Sequence, residues 1–158
     1  RGEPPLLVLL DGIEDPQNLG AIIRSAHALG AHGVVIPKDR AAGITSTAAK
    51  ASAGAVEHCP VARVTNIAQA METMKESGIW MVGLAADGKG EIASLDLAIP
   101  IALVVGGEGQ GLRRLVRDRC DHVVRIPMSG EIASLNASTS AAICLYEAAR
   151  QRARSRGG

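Results

Sequence analysis

The chain has 158 residues, 47% of them hydrophobic, and a formal net charge of +1, which suits one sizeable core and, by default, one domain. One Trp, one Tyr and no Phe leave almost nothing to stack on nucleobases, and a pI near 8.0 neither demands nor excludes a phosphate-rich partner. Cys59, Cys120 and Cys144 are scattered and the histidines lack ligand spacing, so no disulfide framework or metal site is suggested; no apolar run nears the ~20 residues of a membrane span and no leader pattern opens the chain, which predicts a cytoplasmic protein.

Arg1-Gly2-Glu3-Pro4-Pro5 runs without a Met into the apolar stretch 6–10, as in a domain preceded by a further region. That stretch (LLVLL), 33–37 (GVVIP), 79–85 (IWMVGLA), 101–107 (IALVVGG) and 122–127 (HVVRIP) are continuous rather than alternating, as strands covered on both faces read. Between them the spacing predicts helices over 16–29, 66–77, 112–118 and 136–152. The first has Leu19, Ile22, Ile23, Ala26 and Leu29 at helical spacing, Asp15 to cap it, Pro16 in its first turn and Gly30 to close it. The alternation predicts a parallel α/β sheet with helices on both faces, spanning residues 1–158 as one domain.

In such sheets ligands bind beyond the carboxyl ends of the strands, and three loops stand there. The first is DGIEDPQNLGAIIRSA (11–26). Gly20, Arg24 and His27 are expected opposite its apolar stripe, leaving Arg24 room for a ligand or another chain, although a solvated surface Arg explains the pattern as well. The second, GGEGQGL (106–112), reads GxGxG between a strand and a helix, a weak nucleotide-loop signal. Too little chain follows it for the rest of a Rossmann domain. The third, IPMSGEIASLNASTSAAICLYEA (126–148), is rich in hydroxyls at the mouth of a helix.

Together, in this order and spacing, the three blocks closely resemble the SpoU (TrmH-like) family of RNA ribose 2′-O-methyltransferases, over nearly the whole chain. Within the family they look most like the bacterial large-subunit rRNA guanosine 2′-O-methyltransferases, because 36–66 also fits those enzymes. DPxNxGxxxR, GxEGxG and SLNxS co-occur, with Ala137 where Val is usual and Ser140 where Ala is usual. The resemblance implies a SPOUT-type trefoil-knotted α/β domain, a homodimer, RNA (rRNA) as partner, and S-adenosyl-L-methionine as cofactor with no metal. It also implies an N-terminal RNA-binding domain that this chain lacks. Connection rules disfavour knots, so periodicity alone predicts an ordinary doubly wound sheet.

For the site, the resemblance implies Arg24, Asn18, Glu108, Ser134 and Asn136 as catalytic residues. Gly106, Gly107, Ile126, Met128, Leu135 and Leu84 would form the cofactor slot. Ser134 or Asn136 could equally cap the last helix, and Asn136 is expected to do both. Ala142, Leu145, Tyr146 and Ala149 are expected on a dimer-forming face, and Arg113, Arg117, Arg150, Arg152, Arg154 and Arg156 are candidates for phosphate contacts, or for a solvated face. Three alternatives stay open: a tRNA ribose methyltransferase of the same family, a catalytically silent RNA-binding relative, and a nucleotide-dependent oxidoreductase supported only by GxGxG.

Overall fold

The structure, a computed structural model, describes residues 2–38, 49–50, 52–107, 111–131 and 135–157. Its strands are β1 (Leu6–Asp11), β2 (Gly33–Pro37), β3 (Val61–Val64), β4 (Trp80–Leu84), β5 (Gly90–Glu91), β6 (Ile101–Gly106) and β7 (His122–Arg125). They form one 7-stranded sheet in the order β3-β2-β1-β6-β4-β7-β5, and every strand pairing is parallel. The helices are α1 (Pro16–Ala28), α2 (Ile67–Glu76), α3 (Arg114–Asp118) and α4 (Ala137–Gly157).

The unbroken apolar strands are explained by a core on each side of the sheet. Leu6, Val8 and Leu10 of β1 and Ile101, Leu103 and Val105 of β6 pack with α1 and α4. The intervening Leu9, Ala102 and Val104 pack with Ile67 and Met71 of α2 and Val116 of α3. Alternate side chains of a strand point to opposite faces, so a strand buried on both needs apolar residues at every position. The two strands absent from the sequence reading, β3 and β5, lie at the two edges of the sheet. β3 is half-exposed with Arg63 on it, and β5 has 2 residues; neither produces a continuous apolar run.

Helix α1 starts and stops as its residues dictate. The Asp15 carboxylate accepts from Gln17 N at 2.9 Å, Pro16 stands at the first position, and Gly30 takes φ +89° while Ala31 N donates back to Ala26 O. One expectation fails here: Gly20 is buried with Leu19, Ile22 and Ile23. It lies about 60° around the helix from Ile23, close enough to the apolar stripe for a residue without a side chain to be covered. Arg24 and His27 do stand exposed, and His27 stacks on His58 with ring centroids 5.6 Å apart.

Helix α4 buries Ala137, Ala141, Cys144, Leu145, Ala148 and Arg152. Leu145, expected on a dimer face, is therefore part of this chain's own core, whereas Tyr146 is 59% exposed. Arg152 also departs from the expectation of a solvated or phosphate-binding arginine. Its guanidinium donates to Leu97 O at 3.0 Å, Pro5 O at 2.9 Å and Ile99 O at 2.7 Å, and also to Pro4 O. Burial lowers its pKa, yet four carbonyl acceptors keep the cation satisfied. The other arginines of this tail are mostly engaged too: Arg150 pairs with Glu147 and Arg156 with Glu3, while Arg154 is exposed. No described helix is long and apolar enough to cross a membrane.

Replacing Arg152 with Met keeps most of the volume but strips the donors from a group of partly buried carbonyls. The expected outcome is a loss of about 2–4 kcal/mol in unfolding free energy by urea titration; a loss below about 1 kcal/mol would show those carbonyls to be satisfied by water instead.

Candidate active site

The carboxyl ends of β1, β6, β4 and β7 lie side by side, with Asp11 opposite Gly106, Gly83 opposite Val104 and Leu84 opposite Val124. A cleft of about 620 Å³ opens there, within the ordinary range for small-molecule sites. Leu84 to Asp87 form one side, Val105 to Gly107 with Gly111 and Leu112 the floor and a second side, and Ile126, Met128 and Leu135 to Ala137 the third. All the residues nominated for a cofactor slot, Leu84, Gly106, Gly107, Ile126, Met128 and Leu135, line it.

Backbone approaches backbone at this floor. A Cβ on Gly106 would lie 2.2 Å from the carbonyl carbon of Gly111, and one on Gly107 would lie 2.3 Å from the carbonyl oxygen of Gly12. Both positions therefore require glycine. The turn closes through Gly111 N donating to Gly107 O at 2.8 Å, with Gly111 at φ +64°.

The start of α4 bears out the cap. The Asn136 side-chain oxygen accepts from Ser138 N at 2.9 Å and Thr139 N at 3.2 Å, while its amide nitrogen donates to the Asn18 side-chain oxygen at 3.1 Å. One side chain thus starts the helix and ties the first loop to the third. Two of the five catalytic nominees, Asn18 and Asn136, are joined in this way. Arg24 stands exposed on α1, about 9 Å farther along and about 120° around the helix from Asn18, and is not among the described residues lining the cleft. Glu108 and Ser134 lie outside the described residues.

Two carboxylates that the sequence reading did not single out, Asp11 and Asp87, pair with arginines beside the cleft. Arg113 precedes α3 and contacts Asp11, whose side chain is 0% exposed. A carboxylate ending an otherwise apolar strand was a visible signal of a buried partner. Arg117 donates to Asp87 at 2.9 Å, and both line the cleft; the guanidinium beside Asp87 holds its carboxyl below the usual range. Arg113 and Arg117 are thus engaged with carboxylates rather than forming one helix face for phosphate. Among the described residues there is no group of His, Cys, Asp or Glu able to hold a metal.

The family model of the SpoU rRNA Methylase family matches residues 5–146. The chain is 53% identical over 152 residues to the putative TrmH family tRNA/rRNA methyltransferase YacO of Bacillus subtilis, covering 96% of this chain and 61% of that protein. It is 51% identical over 150 residues to the 23S rRNA (guanosine-2′-O-)-methyltransferase RlmB of Photobacterium profundum, covering 95% of this chain and 61% of the relative. It therefore spans about three-fifths of the length of these relatives. Among solved structures, the SpoU methyltransferase AviRb from Streptomyces viridochromogenes in complex with the cofactor AdoMet superposes with a TM-score of 0.91 at 36% identity, over 98% of this chain and 63% of that one. A sheet with this cleft at its strand ends, residues of the second and third motifs lining it, the first motif tied to it through Asn18, and a family match over most of the chain's length place the chain in the SpoU rRNA methylase family.

Proposed function

We propose that the chain is the catalytic domain of an S-adenosylmethionine-dependent RNA ribose 2′-O-methyltransferase acting on a guanosine of large-subunit rRNA, in the cytoplasm, as a homodimer. A preceding RNA-binding region would select the nucleotide. The observation that carries the reading is the Asn18–Asn136 hydrogen bond, which joins the first and third motifs at the edge of a cleft lined by all the nominated slot residues. Support for the 23S rRNA substrate comes from RlmB at 51% identity, and support for a trefoil-threaded chain from β6 and β7, each of which lies between strands laid down earlier.

The cleft fits the cofactor. Leu84, Val105, Ile126 and Leu135 offer apolar walls, Gly106 and Gly107 leave backbone bare where any Cβ would collide, and Asn136 and Ser140 add polar groups. A sulfonium cation with adenine, ribose and a zwitterionic tail asks for such a slot and a few short hydrogen bonds, not an anionic pocket. When bound, it supplies an electrophilic methyl carbon.

The protein must then place a ribose 2′-hydroxyl in line with that carbon and take or polarise its proton. Arginine side chains stay protonated at working pH and make poor bases. Arg24 instead clamps the neighbouring phosphate with two parallel hydrogen bonds, and its field stabilises the developing alkoxide. Asn18 and Asn136 fix one another and the approach of the RNA. Glu108 accepts the proton or orients Arg24 and Asn18, while Ser134 faces the methyl group and the RNA.

The exposed stripe of α4 carries Ile143 and Tyr146, 38% and 59% exposed, next to the half-buried Ala142 and Ala149, and this is the face we assign to the dimer. Sedimentation at micromolar concentration should give a dimer, and a clean monomer would remove that assignment. For the chemistry, Arg24→Ala should bind S-adenosylmethionine with near-normal affinity by calorimetry and lose methyl transfer by about a hundredfold or more. Arg24→Lys should recover little, because a compact ammonium cannot make the two-pronged contact. Near-complete recovery by Lys would leave charge alone as the requirement, and loss of cofactor binding in the Ala variant would move Arg24 from catalysis to the fold.

A further inference from the structure

We propose that Asp11 is a positioning residue for cofactor binding: with Arg113 it holds in place the two cleft-lining stretches on either side of 108–110, Gly106 and Gly107 on one side and Gly111 and Leu112 on the other. The inference rests on the reading of that cleft as the S-adenosylmethionine site. On the first side, Gly107 N donates to the main-chain oxygen of Asp11 at 3.1 Å. On the other, the Asp11 carboxylate accepts from Arg113 N at 2.9 Å and from Arg113 Nε at 2.7 Å, with Arg113 Nη2 2.6 Å away. A single residue at the end of β1 thus fixes where the chain leaves β6 and where it enters α3.

Gly107, Gly111 and Leu112 line the cleft, so the placement of the residues on either side of 108–110 sets its shape. For stability alone, a fully buried carboxylate at the end of an apolar strand is a poor choice, since an apolar replacement of a buried ion pair is often neutral or better. What the pair adds is position. Two guanidinium nitrogens meet Oδ1 while Oδ2 captures the Arg113 main-chain N–H, and the Asp11 side chain is 0% exposed while that of Arg113 is 51% exposed, so one end is buried and the other reaches the surface.

Arg113 is the residue to change, because its exposed side tolerates substitution better than the buried carboxylate. In ligand-free Arg113→Gln, hydrogen exchange at the amides of 106–113 should quicken by about tenfold or more while β1 and β6 keep their protection. Its dissociation constant for S-adenosylmethionine, by calorimetry, should rise by about tenfold or more through lost preorganisation. Arg113→Lys keeps the charge without the paired Nε and Nη2 contacts to Oδ1 and should fall between the two. Local exchange and affinity both unchanged in a folded variant would overturn the proposal. So would global unfolding of both variants, because the pair would then hold the sheet and not the cleft lining. Failure of the unmodified chain to bind S-adenosylmethionine would instead sink the cofactor reading, with the exchange result still judging the clamp.

Discussion

The architecture turns on the contact between β1 and β6. Six successive pairs, from Leu6 with Ile101 to Asp11 with Gly106, bring together segments nearly a hundred residues apart in sequence, and both strands are covered on both faces. At the end of that ladder the backbones of Gly107 and Gly12 come so close that a Cβ would sit 2.3 Å from an oxygen. Moving either strand along the other would open this contact, unpair Asp11 from Arg113 and shift the floor of the cleft. Fold stability and site geometry therefore share one constraint, and interiors packed at crystal-like density leave little slack in it.

The arginines follow a pattern that a net charge of +1 conceals. Arg113, Arg117, Arg150, Arg152 and Arg156 all have carboxylate or carbonyl partners within the chain. Exposed pairs among them, such as Arg156 with Glu3, contribute little to stability, but they compete with any phosphate for the same guanidinium. Arg24 and Arg154, by contrast, stand exposed.

Much of the fold was legible because burial on both faces imposes apolar residues along a central strand: β1, β2, β4 and β6 read as continuous runs for that reason, and β7, though only Val124 of it is buried, through its Val123-Val124 pair. The edge strands β3 and β5 escaped because an exposed strand needs no such run. Strand order was not legible at all. Nothing in local periodicity says that β6 enters between β1 and β4, since pairing partners so distant in sequence leave no local trace. The lining of the cleft was legible through motif resemblance, and the helix cap at Asn136 through its place just before the last predicted helix. Arg152 was misjudged for a physical reason: helix-end arginines are usually solvated, and only the convergence of four carbonyls from two other segments makes burial tolerable.

That buried arginine also bears on the cleft. Apart from Leu145, the inner stripe of α4 is Ala137, Ala141, Cys144 and Ala148, small residues that present a nearly smooth surface to the sheet and to α1. Such a stripe fixes how far the helix stands from its neighbours, but it resists sliding along its own axis poorly, because few side chains project into holes that would stop it. The axial stops are polar and lie at opposite ends. Asn136 ties the first turn to Asn18, and Arg152 ties the far part to Pro4, Pro5, Leu97 and Ile99. Those carbonyls lead into β1 and β6; the far end of β6 lines the cleft, and that of β1 pairs with it. The sixteen residue steps from Asn136 to Arg152 span about 24 Å of helix, so α4 acts as a measured strut that sets the height of Asn136 over the cleft from the opposite end of the sheet.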